Sequence, residues 1–356
     1  MTAMPYKLLL AVACFATATI AVAQPSYPQP PAFSATTIAP QAPDYIRARI
    51  QQLGAGFNGR IGIAVRSVDD GWQTGWRAEE LYPQQSVSKL WVAITAMDAV
   101  DRGQVRLADQ VILTRSDLTL FHQPIAFSIL RKGAETTSVE RLLHDAITMS
   151  DNTCNDKLMR TVGGASAVRQ MIATKGLGSI RFYDGERALQ SRIAGLVWSP
   201  SFSTGGGFER ARNALPLSLR RSLLQRYIDD PYDGAAPASV VQALSRLKKG
   251  QLLSPSSTSF LLNTMGNTKT GKNRLKGGLE PGWTLSHKTG TGQVLGPVQA
   301  GYNDIGVITG PDGRSYAIAV MIKQTTTPLP TRMALMNEVV RSVIRQHDMD
   351  RRDLTL

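Results

Sequence analysis

Three short runs carry side chains that fit a single reaction. Ser86-Val87-Ser88-Lys89 sets a hydroxyl and an amine three positions apart, so on a helix they share a face and the amine reaches the hydroxyl. Ser150-Asp151-Asn152 offers a second hydroxyl and an amide. Lys288-Thr289-Gly290 adds a second cation beside a glycine that lets another backbone approach closely. Attack on a strained amide needs a serine oxygen stripped of its proton, a base, donors for the developing oxyanion and an acid for the leaving nitrogen. Ser86 is the candidate nucleophile and Lys89, when neutral, its base. Ser150 can relay a proton to the leaving nitrogen, and Asn152 can hold both Lys89 and a substrate amide. Lys288 and Thr289 can grip a substrate carboxylate, and the backbone N–H groups of Ser86 and Thr291 can form the oxyanion hole. A second ammonium near Lys89 lowers its pKa and a carboxylate raises it; Lys288 and Glu186 are the candidates for these opposing effects. Each run alone is commonly structural, as an N-cap, a turn or a strand end, but their joint occurrence in order selects acyl transfer.

The surrounding pattern supplies elements to position these groups. Tyr45–Leu53 has helical spacing, Arg60–Val68 alternates as a strand, and Asp69-Asp70-Gly71 turns the chain into Trp72–Arg77. Leu90, Ala93, Ile94, Met97 and Val100 recur at helical spacing until Gly103, which puts Ser86 and Lys89 at a helix start. Thr137-x-x-Glu140 reads as a capping box opening a helix that leads to Ser150. Further helices are expected over Asn155–Val162, Ala165–Thr174, Ala238–Leu247 and Ser256–Met265, making the middle of the chain almost wholly helical. Strands return at Trp283–Lys288, Gly301–Thr309 and Ser315–Lys323, before a last helix over Thr331–Gln346. The expected fold class is α+β: an antiparallel sheet from both chain ends with flanking helices (residues 44–85 and 283–356), enclosing an inserted helical lobe (86–282).

Composition narrows the class further. The 356 residues, 42% hydrophobic and 19% charged, suffice for one large domain or two lobes. The net charge of +13 contains no run of five or six basic residues and no nucleic-acid module, so a nucleic-acid partner is not expected. A basic solvated surface fits better, with a field that draws in carboxylate-bearing substrates. Lys7, the apolar run Leu8–Ile20 and Ala21-Val22-Ala23 read as a signal peptide over 1–23, cleaved before Gln24. The 13-residue run is short of the ~20 that span a bilayer, so stable membrane insertion is not expected. Prolines 25, 28, 30, 31, 40 and 43 mark a linker over 24–43. The mature chain then holds one cysteine, Cys154, read as a buried hydrophobe rather than a nucleophile. His122, His144, His287 and His347 lack ligand spacing, so neither a metal nor any other cofactor is expected. The reading is of a monomer, periplasmic or secreted.

From about Asp44 to His347 the chain resembles the class A serine β-lactamases, in which these three motifs occur together, as they do in penicillin-binding proteins. Asp117-Leu118 through Pro124 resembles the loop that carries the family's gatekeeping aromatic, here Phe121 or His122. Ser150-Asp151-Asn152-Thr153 and Tyr302-Asn303-Asp304-Ile305 also resemble the family's runs. Glu186-Arg187-Ala188-Leu189-Gln190 resembles its Ω-loop Glu-x-x-Leu-Asn, which implies Glu186 as the deacylating base and Gln190 as a water-positioning amide, with Glu209 as the alternative base. Three departures stand out: Gln replaces Asn at 190, Gly185 precedes the glutamate where an aromatic is common, and Asp184 sits where the family often has an arginine. Asp233 and Pro237 resemble the residues that close the loop, leaving an insertion of about 191–232, including Ser199–Gly207, expected as a lid or a disordered excursion. Arg332 is the candidate to assist Lys288 with a substrate carboxylate. The implied activity is β-lactam hydrolysis through a Ser86 acyl-enzyme. The rivals are a D-Ala-D-Ala carboxypeptidase or transpeptidase, and a β-lactam sensor that acylates without turnover.

Overall fold

A computed structural model describes residues 40–353. The expected signal peptide and the linker up to residue 39 lie outside the described residues. Five main strands build an antiparallel sheet: β1 (Arg60–Ser67), β2 (Gln73–Trp76), β3 (Thr284–Thr291), β4 (Val298–Thr309) and β5 (Ser315–Thr325). Their spatial order is β2-β1-β5-β4-β3, with the short strand Val294–Leu295 also paired to β4. First and last thirds of the chain are therefore knitted together, Val65 lying opposite Ile318 and Lys288 opposite Ile305.

The period of two in β1 explains how the sheet is sandwiched. Ile61, Ile63 and Val65 point to one face, where they pack with Ile46 and Ile50 of the Asp44–Ala55 helix and with Met336, Val339 and Val343 of the Leu329–Asp353 helix. The other face carries small side chains, Gly62, Ala64, Ala317 and Ala319, and meets the helical part of the chain. Close approach is what these small residues permit: a Cβ at Gly62 would lie 2.5 Å from the Tyr82 ring and 2.8 Å from Pro237. The Lys89–Asp101 helix is apolar nearly all round and runs through the main core, with Leu90 to Met97 buried on every side.

Three expectations need correction. The middle of the chain is not wholly helical, because Gln110–Thr114 and Ala134–Ser138 form a two-stranded antiparallel ladder. Only Val111 and Leu113 of that ladder enter the core, so the apolar signal is too thin to read as strand. The same ladder moves the helix cap. Thr137 is held opposite Val111, and Ser138 is the N-cap, accepting from Arg141 N at 3.2 Å, so the Thr137–Glu140 box does not form. The insertion, expected as a lid or a disordered excursion, is not disordered: a turn of 3₁₀ helix at Pro200–Phe202 leads to helices Gly207–Ala214 and Leu217–Asp229. Leu224, Tyr227 and Ile228 bury one face of the second helix against Leu189 and Ile193.

Candidate active site

Ser86 sits in a 3₁₀ turn, Gln85–Ser88, that runs directly into the Lys89–Asp101 helix. First-turn amides have no intrahelical acceptor, which leaves Ser86 N–H available to a ligand. The turn is entered through Gln85, a buried residue at φ 54°, a left-handed conformation that costs ~1–3 kcal/mol outside glycine and persists only where surroundings enforce it. Those surroundings are explicit. The Asp233 carboxylate accepts from Gln85 N at 2.7 Å and from Tyr227 OH at 2.9 Å, while Tyr227 OH accepts from Gln85 Nε2 at 2.5 Å. Burial, opposed by those hydrogen bonds, pushes the Asp233 carboxyl up to about 6.

Lys89 Nζ, fully buried, donates to Ser86 Oγ at 2.7 Å, to Asn152 Oδ1 at 2.9 Å and to Glu186 Oε1. Three acceptors match the three N–H donors of an ammonium. Asn152 opens the Asn152–Thr161 helix, capped by Asp151, and its Nδ2 donates to Leu120 O at 2.9 Å. Glu186 is the first residue of the Glu186–Ile193 helix and is 3% exposed. Asp156 fixes the start of that helix by accepting from Glu186 N at 2.8 Å and Arg187 N at 3.3 Å. Burial, and then the Glu186 charge, raise the Asp156 pKa. One turn on from Glu186, Gln190 Nε2 donates to Glu186 Oε2 at 3.3 Å and to Gln85 Oε1 at 3.0 Å.

On the opposite wall, Lys288 Nζ donates to Ser150 Oγ at 2.9 Å and to Thr289 O at 3.0 Å. Burial, then the Lys89 ammonium, push the Lys288 pKa well below the ordinary 10.5, while Glu186 and Asp304 oppose the change. Ser150 is held at φ 61°, a strained conformation that aims its hydroxyl at this cation. Gly290 lies so near the nucleophile turn that a Cβ would come within 2.2 Å of Gln84 O. These groups line one cleft of roughly 490 Å³, whose wall includes Ser86, Ser150, Asn152, Glu186, Thr289 and Thr291. Such a cleft can hold a small bicyclic amide with its carbonyl at Ser86 and its carboxylate toward the Lys288 side.

Some candidates fall where the sequence places them and others do not. Arg332 does not reach the cleft; its guanidinium is used on Thr327 O and Gln299 Oε1. Arg274 occupies the place instead, donating to Gly290 O at 3.1 Å, Asn303 O at 2.7 Å and Thr291 Oγ1 at 2.6 Å over the Tyr302 ring. Glu209 is exposed on the Gly207–Ala214 helix and does not line the cleft. Phe121 and His122 both line it, and Phe121 meets Phe208 of the insertion edge to face at 5.0 Å. Asp184, where a bracing arginine was absent, pairs with Arg169 at 2.9 Å. Cys154 is buried, and burial pushes its thiol far up, away from nucleophilic use. Sequence reasoning missed Gln85, Asp156, Tyr227 and Arg274. Two carried a signal: Asp156 is four residues after Asn152, hence on the same helix face, and Tyr227 stands at helical spacing with Leu224 and Ile228.

A profile described as the Beta-lactamase enzyme family matches residues 45–347. Fold and cleft thus define a serine β-lactamase-type hydrolase of the α+β class. The chain belongs to the β-lactamase enzyme family. It is 25% identical to Beta-lactamase VEB-1 of Pseudomonas aeruginosa over 285 residues, covering 79% of this chain and 83% of that one. It is 27% identical to the Extended-spectrum beta-lactamase PER-1 of Pseudomonas aeruginosa over 313 residues, covering 87% and 89%. Among solved structures, a beta-lactamase from Chitinophaga pinensis superposes with TM-score 0.68 at 26% identity, covering 84% of this chain and 97% of that one. TLA-3 extended-spectrum beta-lactamase gives TM-score 0.69 at 26% identity, with the same coverage.

Proposed function

We propose that Ser86 opens β-lactam rings by forming an acyl-enzyme and that water activated by Glu186 releases it. The observation that carries this reading is Lys89 bonded at once to Ser86 Oγ, Asn152 Oδ1 and Glu186 Oε1. An ammonium in that position donates to the serine and cannot accept its proton. Acylation therefore begins with transfer of one Lys89 proton to Glu186, after which the neutral amine takes the Ser86 proton as the oxygen attacks the lactam carbonyl. The N–H groups of Ser86 and Thr291 receive the oxyanion. Ser150, with Lys288 beside it, passes its proton to the leaving nitrogen as the carbonyl re-forms and the C–N bond breaks, and takes a replacement from the Lys89 ammonium, which is thereby neutral again. Glu186 returns its proton to the lysine and then takes one from a water placed between itself and Gln190, which attacks the ester. Lys288, Arg274 and Thr289 hold the substrate carboxylate, and Asn152 the side-chain amide.

The cleft follows the seam between the sheet lobe (44–85 with 283–356) and the helical lobe (86–282). Export to the periplasm or medium and action as a monomer complete the proposal. The pattern of residues 1–23 supports export, and among the described residues no helix is long and apolar enough to cross a membrane. A chromogenic cephalosporin tests the activity: many equivalents hydrolysed per enzyme support it, whereas one stoichiometric burst, or release of D-alanine from a D-Ala-D-Ala peptide with little lactam turnover, supports the rival penicillin-binding reading.

A further inference from the structure

The insertion does more than cover the Ω-loop helix, because it brings one arginine to the cleft and a second to a hollow beside it. Arg212, near the end of the Gly207–Ala214 helix, lines the cleft wall beside Gln293 and Val294. Arg220, in the following helix, lines a small adjoining hollow shared with Arg212, Gln293 and Leu224. Neither guanidinium forms an ion pair among the described residues, and the Nε of each is buried without a hydrogen-bond partner. Arg212 has one polar contact, Nη1 to Gln293 Oε1 at a long 3.4 Å, and lies over the Phe208 ring. Glu209 acts on it only at a distance, while the Arg220 charge acts against it. Two half-buried like charges sharing one hollow, with unspent donors and no carboxylate between them, are an anion site waiting for its ligand.

Position in the cleft says which anion. Arg274 is bound to Gly290 and Thr291, where the ring carboxylate belongs, and Arg212 reaches Gln293, further along the same chain run. A fused β-lactam presents its ring carboxylate and its acylamino side chain from opposite ends. With the first at Arg274 and Lys288, the second extends past Asn152 toward Gln293. We propose that Arg212, supported by Arg220, binds a second carboxylate carried on the β-lactam side chain, so that the insertion selects for dianionic substrates. This rests on the hydrolase reading above, and the test separates the two.

Benzylpenicillin and α-carboxybenzylpenicillin differ by one side-chain carboxylate. Their equilibrium dissociation constants are measured by calorimetry on the full chain carrying Ser86→Ala, which cannot be acylated; turnover of benzylpenicillin by the unaltered protein is measured separately and decides the hydrolase reading alone. The expected ratio favours the dianion by about tenfold, the weight of one charge-assisted hydrogen-bonded pair. Adding Arg212→Met, which keeps the apolar stem, brings the ratio close to one, and Arg212→Lys retains part of it. Arg220→Met, on a separate helix, and 0.5 M salt each reduce it, so the outcome does not hang on one variant folding. A ratio near one before any substitution, or one unmoved by Arg212→Met and by salt, overturns the proposal.

Discussion

Tyr227→Phe removes one oxygen from the insertion and strikes at the turn that carries the nucleophile. Tyr227 OH is completely buried, donating to Asp233 Oδ1 at 2.9 Å and accepting from Gln85 Nε2 at 2.5 Å. Phenylalanine fills the space but leaves the Gln85 amide and the Asp233 carboxylate each short of a partner. A buried neutral donor left alone costs ~1–3 kcal/mol, and a hydrogen bond to a charged group contributes ~1.5–3 kcal/mol, so a total loss of ~2–4 kcal/mol is expected at neutral pH. The loss must also depend on pH. Burial raises Asp233 from the ordinary 3.8 to about 6 in the folded protein. Its stabilising contribution is therefore full below pH ~4 and is lost as pH rises through ~6, about 3 kcal/mol in all. Removing the tyrosine donor raises that pKa further, since Tyr227 favours the charged form. The variant is then penalised less at pH 5, where Asp233 is already protonated, than at pH 8. Urea unfolding followed by tryptophan fluorescence at both pH values gives the numbers. A cost below ~0.5 kcal/mol at pH 8, or equal costs at the two pH values, would refute the assignment of this triad as the support of the nucleophile turn.

Three further outcomes follow from the same geometry. Burial and the Lys89 charge depress Lys288, so the alkaline fall of kcat/KM should set in below pH 10.5, as the cation that grips the substrate carboxylate deprotonates; a profile flat to pH 10.5 contradicts this. Arg274→Ala should raise KM for benzylpenicillin about tenfold or more, by loss of a charge-assisted contact, whereas Arg332→Ala, away from the cleft, should move it much less; steady-state kinetics on both variants compare them directly. Asp156→Ala strips the acceptor from Glu186 N and Arg187 N and should cost ~2–4 kcal/mol in urea unfolding while lowering kcat more than it changes KM, because the base and not the binding groups is displaced.

What the sequence discloses, and what it conceals, follows the range of the interactions. β1 and β5 are legible because Ile and Val alternate with small residues, and the Lys89–Asp101 helix because Leu90, Ala93, Ile94, Met97 and Val100 recur at helical spacing. Ser86 and Lys89 are three residues apart, so their contact is a property of local helix geometry. The contact of Lys89 with Glu186 spans 97 residues and that of Lys288 with Ser150 spans 138; no local pattern encodes them, and only the resemblance to a family points there. Arg274 sits among Gly271, Lys272 and Asn273, a run that reads as a polar loop, and its placement over Tyr302 depends on how β3 and β4 close. Arg332, the candidate in the sequence, is directed by the last helix to Thr327 and Gln299 instead. The insertion had a readable signal in the spacing of Leu224, Tyr227 and Ile228; its polar neighbours Ser199–Gly207 obscured it.

The central claim is that Ser86 is acylated and that Glu186 frees it, and intact-protein mass resolves both halves in one time course. Mixed with benzylpenicillin, the Glu186→Gln protein should gain the full mass of one penicillin, more slowly than the unaltered protein acylates because Lys89 must then give its proton to solvent, and hold it for minutes to hours, while the unaltered protein returns to its starting mass as substrate is consumed. An adduct that clears equally fast in both proteins would remove Glu186 from the mechanism. No adduct in either, or one that survives Ser86→Ala, would contradict the account as a whole.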